Sequence, residues 1–193
     1  RDDVESRGLG DVYKRQVMRQ TSARLPWLLI GMLGGIGNSM ILGNFDTTFA
    51  AHPEMALYIP LIGGTGGNVG TQSSAIIVQG LANSSLDAKD TFKQVAKEAV
   101  VAVINATIIS LLVYIYNFIR FGATATVTYS VSISLFAVVM FASIFGTLVP
   151  MTLEKLKVDP AIATGPFISI TNDIIGMMLY MGITVLLLSL IHI

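Results

Sequence analysis

Cysteine is absent from the 193 residues of this sequence, and that absence excludes several kinds of site. A disulfide framework, a thiolate metal site and a cysteine nucleophile all require the missing residue. Histidine is scarce as well, with two residues in the chain, neither inside the long apolar segments described below. A cage for a soft or borderline transition metal at membrane depth is therefore disfavoured. Nothing resembles a Ser/His/Asp or Cys/His catalytic set, so the sequence does not predict an enzyme.

Charge is also low, and the two signs are balanced. The 12 Lys and Arg match the 12 Asp and Glu, for a formal net charge of +0. This balance argues against a nucleic acid or another polyanion as partner. Hydrophobic residues make up 53% of the chain instead, which is high for a soluble domain. They are gathered into long runs, and such runs indicate helices that cross a membrane, so lipid is an expected partner.

The two ends of the chain match a translated sequencing adapter. DVYKRQ, residues 11–16, back-translates to the end of a widely used transposase adapter, and LSLIHI, residues 188–193, to its reverse complement. SRGLG, residues 6–10, extends the first match upstream. We therefore expect 1–16 and 188–193 to be non-native tails, set aside as a fusion scar would be. Four basic and four acidic residues lie in 1–16, so the expected native segment, 17–187, keeps eight of each.

Five hydrophobic segments follow one another along the native part of the chain. They are 25–42, 57–82, 99–119, 130–153 and 166–187. Each is close to the ~20 residues that a helix needs to cross a hydrocarbon core of ~30 Å. Helix is favoured over strand because an unclosed sheet leaves backbone groups unsatisfied in lipid. The sequence thus predicts an all-α membrane protein with five transmembrane helices per subunit. Residues 17–23 are expected to form a short interfacial helix before the first span.

Positive charge is concentrated in alternate connections between these segments. Residues 17–24, 83–98 and 154–165 together contain seven Lys or Arg, whereas the remaining connections contain Arg120 alone. By the positive-inside rule, the basic connections lie in the cytoplasm. We therefore expect a multi-pass protein of the cell inner (plasma) membrane with a cytoplasmic N-terminus.

One acidic residue lies deep inside a predicted span. Asp173 stands seven residues after Pro166, about 10 Å into the helix. A charge at the centre of a span costs roughly 2.5–3.5 kcal/mol, so such a carboxylate is a functional candidate. The alternative is a hydrogen-bonded Asp that joins two helices. Ser169 and Asn172 add oxygen donors, which suit Mg²⁺, Ca²⁺ or Na⁺. One Asp per chain, doubled by symmetry, would fit a hydrated Mg²⁺, which proteins usually hold through its waters.

A glycine-rich stretch, GGTGGNVGTQ at residues 63–72, occupies the second span. Its spacing fits neither the P-loop nor the dinucleotide-binding fingerprint, and no lysine is near, so a phosphate loop is excluded. Gly63 with Gly67 and Gly66 with Gly70 form GxxxG pairs, which let helix backbones approach closely. Helix packing alone is one interpretation of the stretch. The other is a polar path, because the same stretch carries the side-chain oxygens of Asn68, Thr71 and Gln72.

Three stretches of the sequence resemble the MgtE family of magnesium channels. PLIGGTGGNVGTQ, residues 60–72, is similar to that family's P-x(n)-G-N-x-G-x-Q signature. DPAIATGPFISITNDIIGMMLY, residues 159–180, is similar to the DPA-x-A-x-GPF…ND-x-x-G stretch of its last helix. RLPWLL, residues 24–29, is similar to the start of its first helix. The resemblance covers essentially all of 17–187.

The resemblance implies a homodimer with one pore at the dimer axis, lined by the second and fifth helices. It places the principal ion-binding aspartate at Asp173 and the second-helix signature at Asn68, Gly70 and Gln72. The residues assigned to the ion pathway are Asn68, Gly70, Thr71, Gln72, Ser169 and Asn172, and those assigned to helix packing are Gly63, Gly66 and Gly67. The family's cytoplasmic regulatory domains do not occur in the sequence, and we expect them to have been lost by truncation.

The resulting hypothesis is a membrane domain, 17–187, that passes hydrated Mg²⁺ through a pore at the dimer interface, with selection by Asp173. Mg²⁺ is the transported ion and not a resident cofactor. Two alternatives stay open at this point. One is an exchanger that couples Mg²⁺ to Na⁺ or H⁺, and the other is a membrane module that assembles with partners and transports nothing.

Overall fold

The computed structural model describes residues 2–123, 125–158 and 160–191, and every element in that part of the chain is helical. The α-helices are α1, Asp2–Gly43; α2, Asp46–Ala51; α3, Ile59–Ala82; α4, Thr91–Phe121; α5, Thr126–Lys155; and α6, Pro160–Ile191. Two 3₁₀ helices, Pro53–Tyr58 and Ala88–Asp90, lie in the connections before α3 and α4. The predicted all-α class is confirmed.

Local sequence explains where the helices begin and end. Pro60 lies in the first turn of α3, where its missing N–H group has no helical partner to lose. Gly122 ends α4 with a φ of +88°, a conformation that costs a glycine little and other residues much more. Its N–H still donates to the carbonyl of Phe118 at 3.0 Å, which closes the last turn of α4.

The first helix differs from expectation. Residues 17–23 were predicted as a separate interfacial helix, but α1 is continuous from Asp2 to Gly43. The prediction was wrong because nothing in VMRQTSA breaks a helix, as neither glycine nor proline occurs in it. Pro26 is accommodated inside the helix.

Four of the five predicted spans correspond to helices that are long and apolar enough to cross a membrane. Within the described residues these are Val12–Gly43, Thr91–Phe121, Thr126–Lys155 and Phe167–Leu190. The predicted span 57–82 is also a helix, and the 24 residues of α3 would extend about 36 Å. Glycines and polar side chains lower its mean hydropathy, so it does not belong to the same apolar class. This helix contains the glycine-rich stretch.

α5 is the centre of the bundle. It packs against α3, α4 and α6, while α1 lies along α6. Leu135, Val138 and Val139 of α5 are buried against Met177 and Tyr180 of α6. This core fixes the positions of α3 and α6 relative to each other, and those two helices carry the candidate site.

The 3₁₀ helix before α3 closes one end of the bundle. Met55 and Tyr58 are both buried there. The Tyr180 hydroxyl donates to the Met55 carbonyl at 2.7 Å, and the Tyr58 hydroxyl donates to the side-chain oxygen of Asn117. These bonds hold the connection against α4 and α6, so the start of α3 is fixed at the bundle end.

Candidate functional site

α3 and α6 border an open groove of about 420 Å³ on one side of the bundle. It is lined by Gly63, Gly64, Gly67, Asn68, Thr71, Gln72, Ser169 and Asp173. The positions on each helix are three or four residues apart, which places them on one face. Each helix thus presents one polar face to the groove, and the packing of α3 against α6 brings the polar part of the glycine-rich stretch beside the Asp173 carboxylate.

Asp173 is exposed to the groove in the single chain. It lies within the apolar length of α6, Phe167–Leu190. Its Oδ1 comes within 3.6 Å of the point where a β-carbon on Gly63 would lie, so the carboxylate sits directly beside the α3 backbone. No salt bridge joins it to any side chain within the described ranges. The carboxylate is thus available to a ligand in the groove.

The groove supplies oxygen donors around this carboxylate. Asn68, Thr71 and Gln72 of α3 and Ser169 of α6 are all exposed there. Amide and hydroxyl oxygens can bind a hard cation directly or accept hydrogen bonds from its waters. In the described part of the chain, no three Asp, Glu, His or Cys side chains come together. One copy therefore offers a single charge among neutral donors and not a closed cage.

Two residues assigned to the pathway lie elsewhere. Gly70 and Asn172 are both buried, and neither lines the groove. The Asn172 side-chain N–H donates to the Gly66 carbonyl at 3.1 Å, and a β-carbon on Gly70 would lie 2.1 Å from that same nitrogen. Both belong to the contact between α3 and α6. Because Asp173 follows Asn172 along α6, this contact also sets the direction in which the carboxylate projects.

The glycines of the stretch fall into two groups. Gly66 and Gly70 pack against neighbouring helices, and a β-carbon on Gly66 would lie 2.9 Å from Val138 of α5. Gly63 and Gly67 were assigned to packing but line the groove, and a β-carbon on Gly67 would meet nothing within 4 Å. One GxxxG pair therefore joins helices inside the subunit, and the other leaves the α3 backbone open to the groove.

Gly146 and Gly64 were not singled out from the sequence. A β-carbon on Gly146 would lie 2.5 Å from the Gly70 carbonyl oxygen, so α5 and α3 touch backbone to backbone there. An isolated glycine in the apolar run of α5 carries no motif, and only the packed helices reveal its role. Gly64 lines the groove and stands four residues before Asn68, so helical spacing alone would have found it.

Acidic residues outside the groove have other surroundings. Glu98 of α4 accepts a hydrogen bond of 2.6 Å from Ser73 of α3, which joins those two helices. His52 and Glu54, in the connection before α3, approach each other to 3.2 Å. None of these side chains lines the groove, which leaves Asp173 as its charged group.

Comparison with known proteins points to one family. The sequence profile of MgtE, described as a divalent cation transporter, matches residues 59–183, a range that contains every residue lining the groove. The chain is 34% identical over 160 residues to the magnesium transporter MgtE of Bacillus subtilis (strain 168), covering 83% of this chain and 35% of that relative.

Two further relatives give the same result. The magnesium transporter MgtE of Thermus thermophilus is 33% identical over 167 residues, covering 86% of this chain and 37% of the relative. That of Enterococcus faecalis is 27% identical over 166 residues, covering 86% and 36%. The chain thus spans about a third of the length of the curated relatives it matches.

Proposed function

The chain belongs to the MgtE family of divalent cation transporters, and from this premise we propose that its helices pass hydrated Mg²⁺ across a membrane along the groove between α3 and α6. The relatives over most of this chain's length are named magnesium transporters, which favours Mg²⁺ among divalent cations. The ion is the cargo of the protein. A transport role also agrees with the expectation that the chain is not an enzyme.

The observation that carries the proposal is the exposure of Asp173 at membrane depth. A carboxylate facing hydrocarbon would cost roughly 2.5–3.5 kcal/mol, and the groove around it also exposes amide and hydroxyl groups. Polar groups in such a position need water, an ion or another protein surface. We therefore propose that two copies pair across this face, so that the two grooves enclose one water-filled pore.

Pairing doubles the charge in the pore. In a two-fold dimer the same patch of each copy meets its counterpart, so the two Asp173 carboxylates would lie on opposite sides of the axis. Two carboxylates attract a divalent cation more strongly than a monovalent one, because the Coulomb energy scales with the product of the charges. Pairing therefore doubles the electrostatic advantage that a divalent cation has over a monovalent one at a single carboxylate.

The neutral donors have a different role. Mg²⁺ gives up its water reluctantly and is usually bound by one or two carboxylates while it keeps several waters. In the proposed pore, Asn68, Thr71, Gln72 and Ser169 accept hydrogen bonds from those waters. Gly67 leaves space, because a β-carbon there would meet nothing within 4 Å, and Gly63 lets the Asp173 carboxylate lie beside the α3 backbone. Asn172 orients α6 through its bond to Gly66 and acts as a positioning residue.

The orientation follows the charge distribution. We propose that the ends bearing Arg24, Lys89 and Lys155 lie in the cytoplasm, in accord with the positive-inside rule. The membrane is then the cell inner (plasma) membrane, and residues 17–187 form the transport domain. Regulatory domains on a longer chain would contact this cytoplasmic side.

Removal of the carboxylate tests the proposal. Asp173→Ala is expected to abolish Mg²⁺-dependent growth of a strain that lacks its own Mg²⁺ uptake systems, while the variant still inserts in the membrane. Asp46→Ala, which removes a carboxylate outside the groove, serves as the matched control and should support growth. Growth with Asp173→Ala equal to that with the unmodified chain would overturn the proposed mechanism.

A further inference from the structure

A second cavity lies apart from the groove, at the end of the bundle where α1, α5 and α6 meet. Its volume is about 480 Å³, and it is lined by residues that include Trp27, Phe145, Leu148, Thr152, Leu153 and Phe167. None of them lines the groove. The cavity is therefore separate from the proposed cation pathway, and a ligand bound in it would not be the transported ion.

The wall of the cavity is almost entirely hydrocarbon. The rings of Phe145 and Phe167 stack with their centroids 6.0 Å apart, and Phe141 stacks on Phe145 at 5.2 Å. Among the lining side chains that the structure describes, only Thr152 and the Trp27 indole bear polar atoms. A ligand that fits here must be apolar along most of its length.

Cationic side chains border the same end of the bundle. Arg24 precedes Trp27 by three residues and Lys155 follows Thr152 by three, so each lies one helical turn from the cavity wall. Both are exposed, and neither forms a salt bridge within the described residues. Among the described residues, the acidic side chain next to Lys155 in the sequence is Glu154, and it borders a different, polar cavity together with Asp87. The edge of the apolar cavity is therefore positively charged.

From this arrangement we infer that the cavity binds one acyl chain of an anionic phospholipid, with the headgroup phosphate on Arg24 and Lys155. The apolar wall receives the chain, and tryptophan is typical of the depth at which chains meet headgroups. Basic side chains at that depth attract anionic lipids. A second copy of the protein is a poor occupant, because a two-fold contact here would bring Arg24 and Lys155 of both copies together.

The sequence provides a direct probe of this site. Trp27 is the single tryptophan of the chain, so the fluorescence of this chain in liposomes comes from a side chain in the cavity wall. Bromine atoms on acyl chains quench tryptophan on contact. At equal mole fraction, brominated phosphatidylglycerol is expected to quench Trp27 about twofold or more efficiently than brominated phosphatidylcholine, because the basic residues favour the anionic headgroup.

Two variants separate this site from ordinary lipid contact. R24Q/K155Q removes both cations from exposed positions and is expected to abolish the preference for phosphatidylglycerol while quenching by phosphatidylcholine stays unchanged. W27F/F136W moves the probe to Phe136, an exposed position on α5 outside the cavity, and should be quenched equally by the two lipids.

The opposite outcomes would overturn the inference. Equal quenching of Trp27 by the two lipids would mean general contact with the bilayer only. Absence of quenching by either lipid would mean that protein covers the cavity. A preference retained in R24Q/K155Q would remove these two residues from the headgroup site.

Discussion

At the residue scale, Asp173 combines two properties that conflict in a lone subunit. It is a carboxylate within an apolar helix, and it faces outward beside the α3 backbone with neutral oxygens as its polar neighbours. Glu98, by contrast, is held by Ser73, and Glu54 has His52 as partner. An acidic side chain with no salt bridge to the described residues is suited to binding a cation reversibly.

The neutral donors should affect transport less than the carboxylate does. Gln72→Leu removes an amide but no charge, so Mg²⁺ uptake should fall by about 3- to 10-fold, the equivalent of roughly one hydrogen bond to the hydrated ion. Initial uptake rates of the ion in cells or liposomes provide the measurement. Gln79→Leu, on the same helix outside the groove, is the control and should transport normally. Equal losses in both variants would contradict a specific role for Gln72.

At the element scale, α3 is held to the bundle by close backbone contacts as well as by buried side chains such as Ile62 and Ile77. Gly66, Gly70 and Gly146 occupy the points where a β-carbon would lie within 3 Å of an atom of another helix. Small residues at such points let membrane helices pack closely. The opposite face of α3, with Gly67 and Asn68, stays open to the groove.

The effect of a Gly→Ala substitution on stability should therefore depend on whether the glycine faces another helix or the groove. Gly146→Ala places a methyl group 2.5 Å from the Gly70 carbonyl oxygen. Because the backbone there can move little, we expect the free energy of unfolding to fall by about 1–3 kcal/mol or more. Gly67→Ala meets nothing within 4 Å and gains helix propensity, worth up to about 1 kcal/mol. Thermal unfolding in detergent checks both variants, with Gly67→Ala expected at or above the unmodified midpoint. A lower midpoint for Gly67→Ala than for Gly146→Ala would contradict this division of faces.

Sequence patterns located the helices better than they assigned faces to them. Long apolar runs were enough to predict the helices, whereas the expectation that α3 lies beside Asp173 came from the family resemblance. The pattern could not divide Gly63 and Gly67 from Gly66 and Gly70, because both pairs have the same spacing. The atoms nearest each glycine, such as those of Val138 and Asn172, belong to other helices. Only the packed structure therefore shows which face each glycine occupies.

At the scale of the whole molecule, the polar groove is an open surface on a chain whose described part has four helices apolar enough to cross a membrane. Exposed apolar side chains on α4, such as Ile108, Leu112 and Ile119, suit contact with lipid. The groove does not, because its amides, hydroxyls and carboxylate need polar partners. Under the proposed pairing, a second copy covers the groove while lipid contacts the apolar face of α4.

The absence of cysteine makes this pairing straightforward to test. A single cysteine at Thr71, on the groove, should be joined to its counterpart in the second copy with high yield by a bifunctional thiol reagent long enough to span the proposed pore, since a hydrated ion between the two positions puts them beyond disulfide range. A single cysteine at Ile108, on the exposed face of α4, should stay monomeric because lipid separates that face from other copies. Non-reducing gel electrophoresis gives the two yields. Efficient cross-linking at Ile108 with none at Thr71 would mean that the copies meet at α4, which would contradict pairing across the groove.

The most direct test of the central claim is Mg²⁺ flux into liposomes containing the purified chain, measured with an indicator inside. Asp173→Asn keeps the size of the side chain and removes its charge, so flux is expected to fall at least about 100-fold, since hydrogen bonds to a charged group contribute roughly 1.5–3 kcal/mol each and both copies lose theirs. Asp46→Asn, outside the groove, should retain full flux. Flux through Asp173→Asn equal to that of the unmodified chain would contradict selection by this carboxylate.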